Sequence, residues 1–435
     1  MKYFGTDGIR GLGNKVKSLA FPLGVVLGKM GQVVVARDTR PSSFDIEREL
    51  ARGLLSAGAE VKLVGVVPTP ALHYLAKYGK VAVMITASHN PPEYNGLKVI
   101  VEGGKLSPAE EEHLDNQLDD EINNPSPCNP CGRVEILSGG AREYKRHVIG
   151  QFDHLNLSGL GKTIYIDTAH GCFSYIAKDV LETLGGDVVA VNNDHDGDKV
   201  NVRCGALYVE DFAKRLPSNS IGFAFDGDGD RVMAVIDGRV FDGDQMLYNI
   251  ARHKNAKGKV IKEVVGTIMT NGGIERALSK EGVSLVRTDV GDKHVLQAMK
   301  EKNLLLGGEK SGHLIIGDKS WTGDGIVTTL SFLEVVLGEN IKKVREFKTE
   351  NYALETENPM ECYMSEEFQK NLAKTREEIG ENARLIVRPS GTEDLIRITV
   401  EHSKSRVEYG KIVEKFLLSK TYKNRTNSKQ KNAVL

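Results

Sequence analysis

Three stretches of the chain repeat one pattern of apolar and polar positions. In each, apolar residues spaced three and four apart give way to glycine, and a β-branched run follows. The first, around Glu49 to Leu55, ends at Gly58 before Val61 to Val67. In the second, Ile176, Val180, Leu181 and Leu184 precede Gly185 and Gly186, and Val188 to Val191 continue. In the third, Ile274, Ala277 and Leu278 lead to Gly282 and then Val283 to Val286. Such spacing predicts a helix with one buried stripe, closed by a glycine that can adopt the left-handed cap. Short apolar runs come before these helices, at Val33 to Ala36, Ile164 to Ile166 and Val264 to Ile268. Strand alternating with helix predicts layered α/β units with largely parallel sheets.

From Glu357 the pattern changes. A polar helix over Glu366 to Ile379, strand-like runs at Leu385 to Val387 and Ile396 to Val400, and a further helix predict a smaller α+β domain. The expected divisions are 1–149, 150–240, 241–350 and 351–421, with 422–435 a basic, disordered tail. A chain of 435 residues is too long for one hydrophobic core, which agrees with several domains.

Charge narrows the partners. With 59 acidic against 58 basic side chains the net charge is −1, so nothing draws the chain to nucleic acid or a membrane surface. No run approaches the roughly 18 uninterrupted apolar residues of a membrane span. Met1 to Arg10 holds no apolar stretch that would serve as a signal peptide. Five cysteines argue against a disulfide framework and for a reducing, cytoplasmic setting. Cys128 and Cys131 form a C-x-x-C without further zinc ligands nearby, and read as an exposed loop.

Candidate chemistry sits between the apolar runs. Thr86-Ala87-Ser88-His89-Asn90-Pro91 follows the strand-like Val81 to Ile85, so the Ser88 hydroxyl is held at a strand end. The glycines of a hydrolase nucleophile elbow are absent, which disfavours esterase chemistry. Asp226-Gly227-Asp228-Gly229-Asp230-Arg231 lies between Ile221 to Phe225 and Val232 to Ile236, a tight turn between strands. Three carboxylates converging there repel unless a divalent cation joins them, and few oxygen ligands suit Mg²⁺. An EF-hand would need Gly at Arg231 and Glu at Asp237.

Three further loops are weaker alone. Gly307 to His313 offers Glu309 and Ser311 to sugar hydroxyls and His313 as a proton carrier. Arg388-Pro389-Ser390-Gly391-Thr392-Glu393 can cradle a phosphate, and Gly5 to Gly11 offers Thr6 and Arg10 to an anion. Each by itself is also an ordinary surface turn. Carrier hydroxyl, acidic turn, sugar loop and phosphate loop on four successive segments are what a central cleft between four domains requires.

At these loops the chain resembles the α-D-phosphohexomutase superfamily over nearly its whole length. The motifs are T-A-S-H-N-P, D-G-D-G-D-R, G-E-K-S-G-H and R-P-S-G-T-E. Within it the likeness is nearest to the phosphoglucosamine mutase branch, through Tyr3 to Gly11, Asn201 to Gly205, Asp242 to Gln245, Val290 to Asp292 and Thr322 to Gly325. The chain departs from that branch at Ala206-Leu207-Tyr208, at Lys293-His294 and at Asp394, which bears on the choice between hexosamine and hexose. The resemblance implies three α/β domains with mixed sheets and a fourth with an antiparallel sheet. It implies Ser88 as phosphoserine on Mg²⁺ held by Asp226, Asp228 and Asp230, and glucosamine 1,6-bisphosphate or glucose 1,6-bisphosphate as intermediate or activator. The expected reaction interconverts glucosamine 6-phosphate and glucosamine 1-phosphate; a phosphomannomutase or phosphoglucomutase of broad sugar tolerance is the alternative. Arg388, Ser390, Gly391 and Thr392 would take the existing phosphate, and Arg231 or Arg10 the developing charge. Lys98 is the first candidate base and His313 the second. A monomer or homodimer acting on a small sugar phosphate is expected.

Overall fold

The computed structural model describes residues 1–5, 8–127, 131–338, 341–380, 383–390, 394–403 and 409–417. Thr6, Cys128, Gly391, Thr392 and the basic tail at 422–435 lie outside the described residues. The chain forms two compact units. One holds Met1–Thr267 and Thr288–Lys342, the other Ile268–Arg287 and the chain from Lys343 onward.

The three repeated segments fold as their spacing predicts. Helices Ser43–Ser56, Ile176–Thr183 and Gly272–Lys280 are followed by strands Glu60–Val66, Val188–Val191 and Ser284–Thr288. Gly58, Gly185 and Gly282 after the helices take φ of 84°, 88° and 74°. Helix Gly13–Gly28, which the pattern reading did not find, carries Pro22 inside it and packs on the first sheet with Ser43–Ser56. Val33, Val35, Val83, Ile85 and Leu97 of the sheet and Leu23, Leu27, Leu50 and Leu54 of the helices share one core. Each buried side chain of this size contributes about 1.5–3 kcal/mol.

The sheets are mixed, as the resemblance implies, rather than largely parallel as strand–helix alternation alone suggests. In the first, Val81–Ile85, Gln32–Arg37, Glu60–Val66 and Arg133–Ile136 lie side by side and run parallel. Tyr94–Val101 returns antiparallel on the other side of Val81–Ile85. In the second, Ile221–Phe225 pairs parallel with Ile164–Asp167 and antiparallel with Val232–Ile236. In the third, Leu306–Gly308 pairs parallel with Glu263–Thr267 and antiparallel with Leu314–Ile316. The correction has one cause. A parallel return needs a crossover of about a dozen residues or more, and these connections are too short. Ser88, the acidic turn and the sugar loop therefore each sit at the tip of an antiparallel pair.

The second unit carries the expected antiparallel sheet, with Leu395–His402 flanked by Lys348–Glu355 and Ala383–Pro389. Helix Glu366–Ile379 matches its predicted bounds, with the Ser365 side chain accepting from Phe368 N at its start. Phe368 and Leu372 from this helix pack on Ile396, Ile398 and Val400. No helix among the described residues is long and apolar enough to cross a membrane.

Candidate active site

Ser88 leaves its buried strand with φ of 52°, a left-handed conformation unusual for serine. The surroundings over-determine it. Its N–H donates to Thr86 Oγ1 at 2.9 Å. Arg40 Nη2 donates to Ser88 O at 2.8 Å and to Asn90 O at 2.8 Å, and Nη1 to Tyr94 O at 3.0 Å and to Pro91 O. Asn201 Nδ2 adds bonds to Ser88 O at 2.8 Å and Asn90 O at 3.1 Å. Asp38 balances the guanidinium, accepting from Arg40 Nε at 2.8 Å with both side chains fully buried. A planar fork reaching four carbonyls at once is something only arginine provides.

Pattern reading did not single out Arg40, because its partners are backbone oxygens some fifty positions away. Asn201 stood in a motif, yet without a role. Their shared acceptors could be found only in three dimensions.

The acidic turn meets this serine. Ser88 Oγ donates to Asp226 Oδ2 at 2.8 Å. Asp226, Asp228 and Asp230 are at most 4 % exposed, and each offers an oxygen within 4.8 Å of the others. Thr69 Oγ1 donates to Asp228 Oδ2 at 2.6 Å, and Lys98 Nζ reaches Asp228 Oδ2 at 3.0 Å and Asp230 Oδ2 at 3.3 Å. Asp228 Oδ1 and Asp230 Oδ1 are buried without a hydrogen-bond partner. Orphaned carboxylate oxygens in a buried triad are costly alone and fit a divalent cation. Burial, followed by the charges of Asp230 and Asp228, pushes the Asp226 carboxyl well above its usual range. Burial acts the same way on Asp230, but Lys98 and then His313 outweigh it and hold that carboxyl low.

Neighbouring histidines differ. Burial, then the Arg231 and Arg10 charges, push His89 down to about 2, so its ring beside Ser88 Oγ is neutral. Burial of His313 is outweighed by its contact with Asp230, 3.7 Å from Nδ1, and its pKa is raised. The Arg231 guanidinium stays charged, because Asp230 and Asp226 outweigh its burial.

The sugar loop is fastened to the same turn. Val232 N donates to Gly312 O at 3.2 Å and Glu309 N to His313 O at 2.9 Å. Gly312 has φ of 92°, and a Cβ there would stand 2.3 Å from Val232 O. On the opposite side Gly171 lies against the turn so closely that a Cβ would meet Gly227 O at 2.3 Å. Glu309 Oε1 accepts from Gly291 N at 3.0 Å, and Ser311 is 8 % exposed.

Of the residues chosen from sequence, Ser88, Asp226, Asp228, Asp230 and Lys98 converge directly. His313 joins through Asp230 and Arg231 through the turn itself. Arg10 lies on strand Gly8–Leu12, opposite Gly96 of the strand that carries Lys98. Arg388 and Ser390, half-buried, stand in the second unit at the end of Ala383–Pro389, where Ser390 N donates to Leu395 O at 2.9 Å.

A hydroxyl on an acidic triad, with three mixed-sheet domains and an antiparallel fourth, defines a phosphohexomutase. The chain belongs to the phosphoglucomutase/phosphomannomutase family: models of its α/β/α domains I, II and III match residues 1–125, 142–239 and 242–353, and that of its C-terminal domain matches 352–419. Within the family, the phosphoglucosamine mutase of Thermotoga sp. (strain RQ2) is 41 % identical over 427 residues, covering 95 % of this chain and 98 % of the relative. That of Carboxydothermus hydrogenoformans is 37 % identical, covering 93 % and 96 %. Solved structures share the fold. A phosphoglucomutase/phosphomannomutase family protein of Burkholderia thailandensis gives a TM-score of 0.79 at 21 % identity, covering 96 % and 98 %. N-acetylphosphoglucosamine mutase of Aspergillus fumigatus, solved with GlcNAc-6P and magnesium, gives 0.69 at 16 %, covering 95 % and 94 %.

Proposed function

We propose that this chain interconverts glucosamine 6-phosphate and glucosamine 1-phosphate, with Ser88 carrying the phosphoryl group. The observation that supports this most is the 2.8 Å bond from Ser88 Oγ to Asp226, which sets a carrier hydroxyl on a buried acidic triad. Relatives named phosphoglucosamine mutase at about 40 % identity favour the hexosamine over other hexoses.

The sugar 1-hydroxyl oxygen attacks the phosphorus on Ser88, the bond from phosphorus to Ser88 Oγ breaks, and the hydroxyl proton passes to a base. The product of this half is the 1,6-bisphosphate. After it turns end for end, Ser88 recovers the 6-phosphoryl group, leaving the 1-phosphate. Asp226, Asp228 and Asp230, with the Ser88 phosphate, would hold Mg²⁺, which when bound neutralises charge on the transferring group. Lys98 is the first candidate base by position, 6 % exposed on strand Tyr94–Val101, which pairs with the strand leading to Ser88. His313 is the second choice, since its contacts with Asp230 favour the protonated ring. Arg231 and Arg10 offset negative charge, Glu309 and Ser311 hold sugar hydroxyls, and Arg388, Ser390, Gly391 and Thr392, with Thr6 at the other loop, hold phosphate. Four free cysteines among the described residues fit the reducing cytoplasm.

Two measurements test the reading. Intact mass should show one phosphate that Ser88→Ala removes. Initial rates on glucosamine, glucose and mannose 6-phosphates should be highest on glucosamine; a faster rate on either hexose would overturn the sugar assignment.

A further inference from the structure

A groove of about 580 Å³ opens in the second unit. Helix Gly272–Lys280, the segment Val344 to Lys348 and the end of strand Leu395–His402 line it. Its wall holds Arg276, Lys280, Arg345 and Lys348 against one carboxylate, Glu346, among the described residues. Arg276 and Lys280 stand one turn apart on one face of the helix, where like charges repel. Lys348 has a partner: its Nζ donates to Glu350 Oε1 at 3.1 Å, the oxygen that His402 Nε2 also meets at 3.1 Å. The other three do not. Arg276, Lys280 and Arg345 are exposed, and their side chains make no ion pair or hydrogen bond among the described residues.

The backbone fixes where these cations stand. Asn271, which caps the helix, holds Phe347 at both main-chain groups: Oδ1 accepts from Phe347 N at 2.9 Å, and Nδ2 donates to Phe347 O at 3.1 Å. A Cβ on Gly273 would stand 2.5 Å from Arg345 O and 3.0 Å from Glu346 Cα, so the segment lies directly on the helix. Glu401 Oε1 accepts from Gly272 N at 3.0 Å and ties the strand end to the same place. Lys348 pairs with His402 at this end of the sheet. Arg388 and Ser390 stand at the other end, where Pro389 pairs with Ile396 and Ser390 N donates to Leu395 O. The groove is separate from that loop.

We propose that this groove binds a condensed phosphate, either free or carried on a nucleotide. A single phosphate, with a charge of about −1.5 to −2, answers only part of three unpaired cations. Two linked phosphoryl groups answer more of it, and give each guanidinium fork its own pair of oxygens. The volume falls within the roughly 300–1,000 Å³ of small-molecule sites. One exposed ion pair is weak by itself. Several acting together on a wall already in place lose little to ordering, and that is what holds the ligand. This site goes beyond the mutase reading and does not rest on it.

Calorimetry on the full-length protein tests it, with inorganic pyrophosphate as the probe at one fixed salt and magnesium concentration. One site per chain is expected, unaffected by Arg388→Ala or by saturating glucosamine 6-phosphate. The double variant Arg276→Gln, Arg345→Gln should weaken it about tenfold or more. No binding to the wild-type protein overturns the site, and so does undiminished binding to the double variant. Binding that Arg388→Ala abolishes, or that glucosamine 6-phosphate displaces, belongs to the sugar phosphate site and overturns it too. Equal affinity for orthophosphate overturns the need for two linked groups. Tighter binding of a single-stranded RNA overturns the choice of a small ligand. Adenosine diphosphate binding more tightly than pyrophosphate supports the site with a nucleotide as the source, and the reverse order supports it with free condensed phosphate. Should the double variant fail to fold, Lys280→Gln replaces it: a weakening of about threefold is expected, and none overturns the site.

Discussion

The Ser88 turn and the Arg388 turn both follow a strand and both return antiparallel, yet they are held very differently. Ser88 is 2 % exposed, strained in backbone, and bound through its neighbours' carbonyls by Arg40 and Asn201. Arg388 and Ser390 are half-buried on a small three-stranded sheet. The contrast separates two tasks. A group that forms and breaks bonds needs its position fixed in advance. The phosphate grip proposed for Arg388 and Ser390 makes and breaks no bond, so half-burial suffices there.

The comparison breaks most plainly at the serine. Ser88→Ala should lower turnover by about a thousandfold or more while leaving sugar phosphate binding measurable. Comparable turnover in that variant would show that the buried turn carries no bond-making group. Arg40→Ala comes next. It takes one donor from four carbonyls, two of which keep Asn201, and leaves Asp38 charged and buried, so a loss of about 3–5 kcal/mol is expected in denaturant unfolding. Arg40→Lys keeps the charge without the fork. There kcat should fall about tenfold with KM nearly unchanged.

The half-exposed turn should yield more gently. Arg388→Ala should raise KM about tenfold and leave the mass increment on Ser88 intact. If kcat collapses instead, the two turns are equally demanding and the contrast is wrong.

A control away from both is the smallest effect. Asp115 accepts from the backbone N–H groups of Lys2, Tyr3 and Phe4 at 2.6, 2.7 and 2.8 Å. Burial would raise its pKa, and those bonds outweigh burial and lower it below the ordinary 3.8. A depressed carboxyl contributes stability that is present above 3.8 and lost as pH falls through the depressed value. Asp115→Asn should therefore cost about 1 kcal/mol near pH 7 and progressively less in acid, measured by thermal unfolding at several pH values.

Much of this arrangement was legible in the chain itself. Glycine after a helical stripe marked three helix ends, and the acidic turn was bounded correctly because Ile221 to Phe225 and Val232 to Ile236 are continuous apolar runs. The parallel sheets expected from alternation failed at the three functional hairpins, where loop length decides direction and periodicity is silent. Helix Gly13–Gly28 escaped because Gly24, Gly28 and Pro22 mask its stripe, while Gly24 in fact lets it approach Gly53. Arg40 and Thr69 gave no local signal, and Asn201 lay in a motif that named no role, since their partners are set by tertiary approach.

The contact of Gly312 with Val232 and of Gly171 with Gly227 has a consequence for engineering. The ion cage is walled there by main chain, with no room for even one added methyl group. On the proposed reading, in which Glu309 and Ser311 hold the sugar, those two side chains can be exchanged while the acidic turn keeps its shape. The same reading makes retuning the preferred sugar and preserving the transfer step separable tasks.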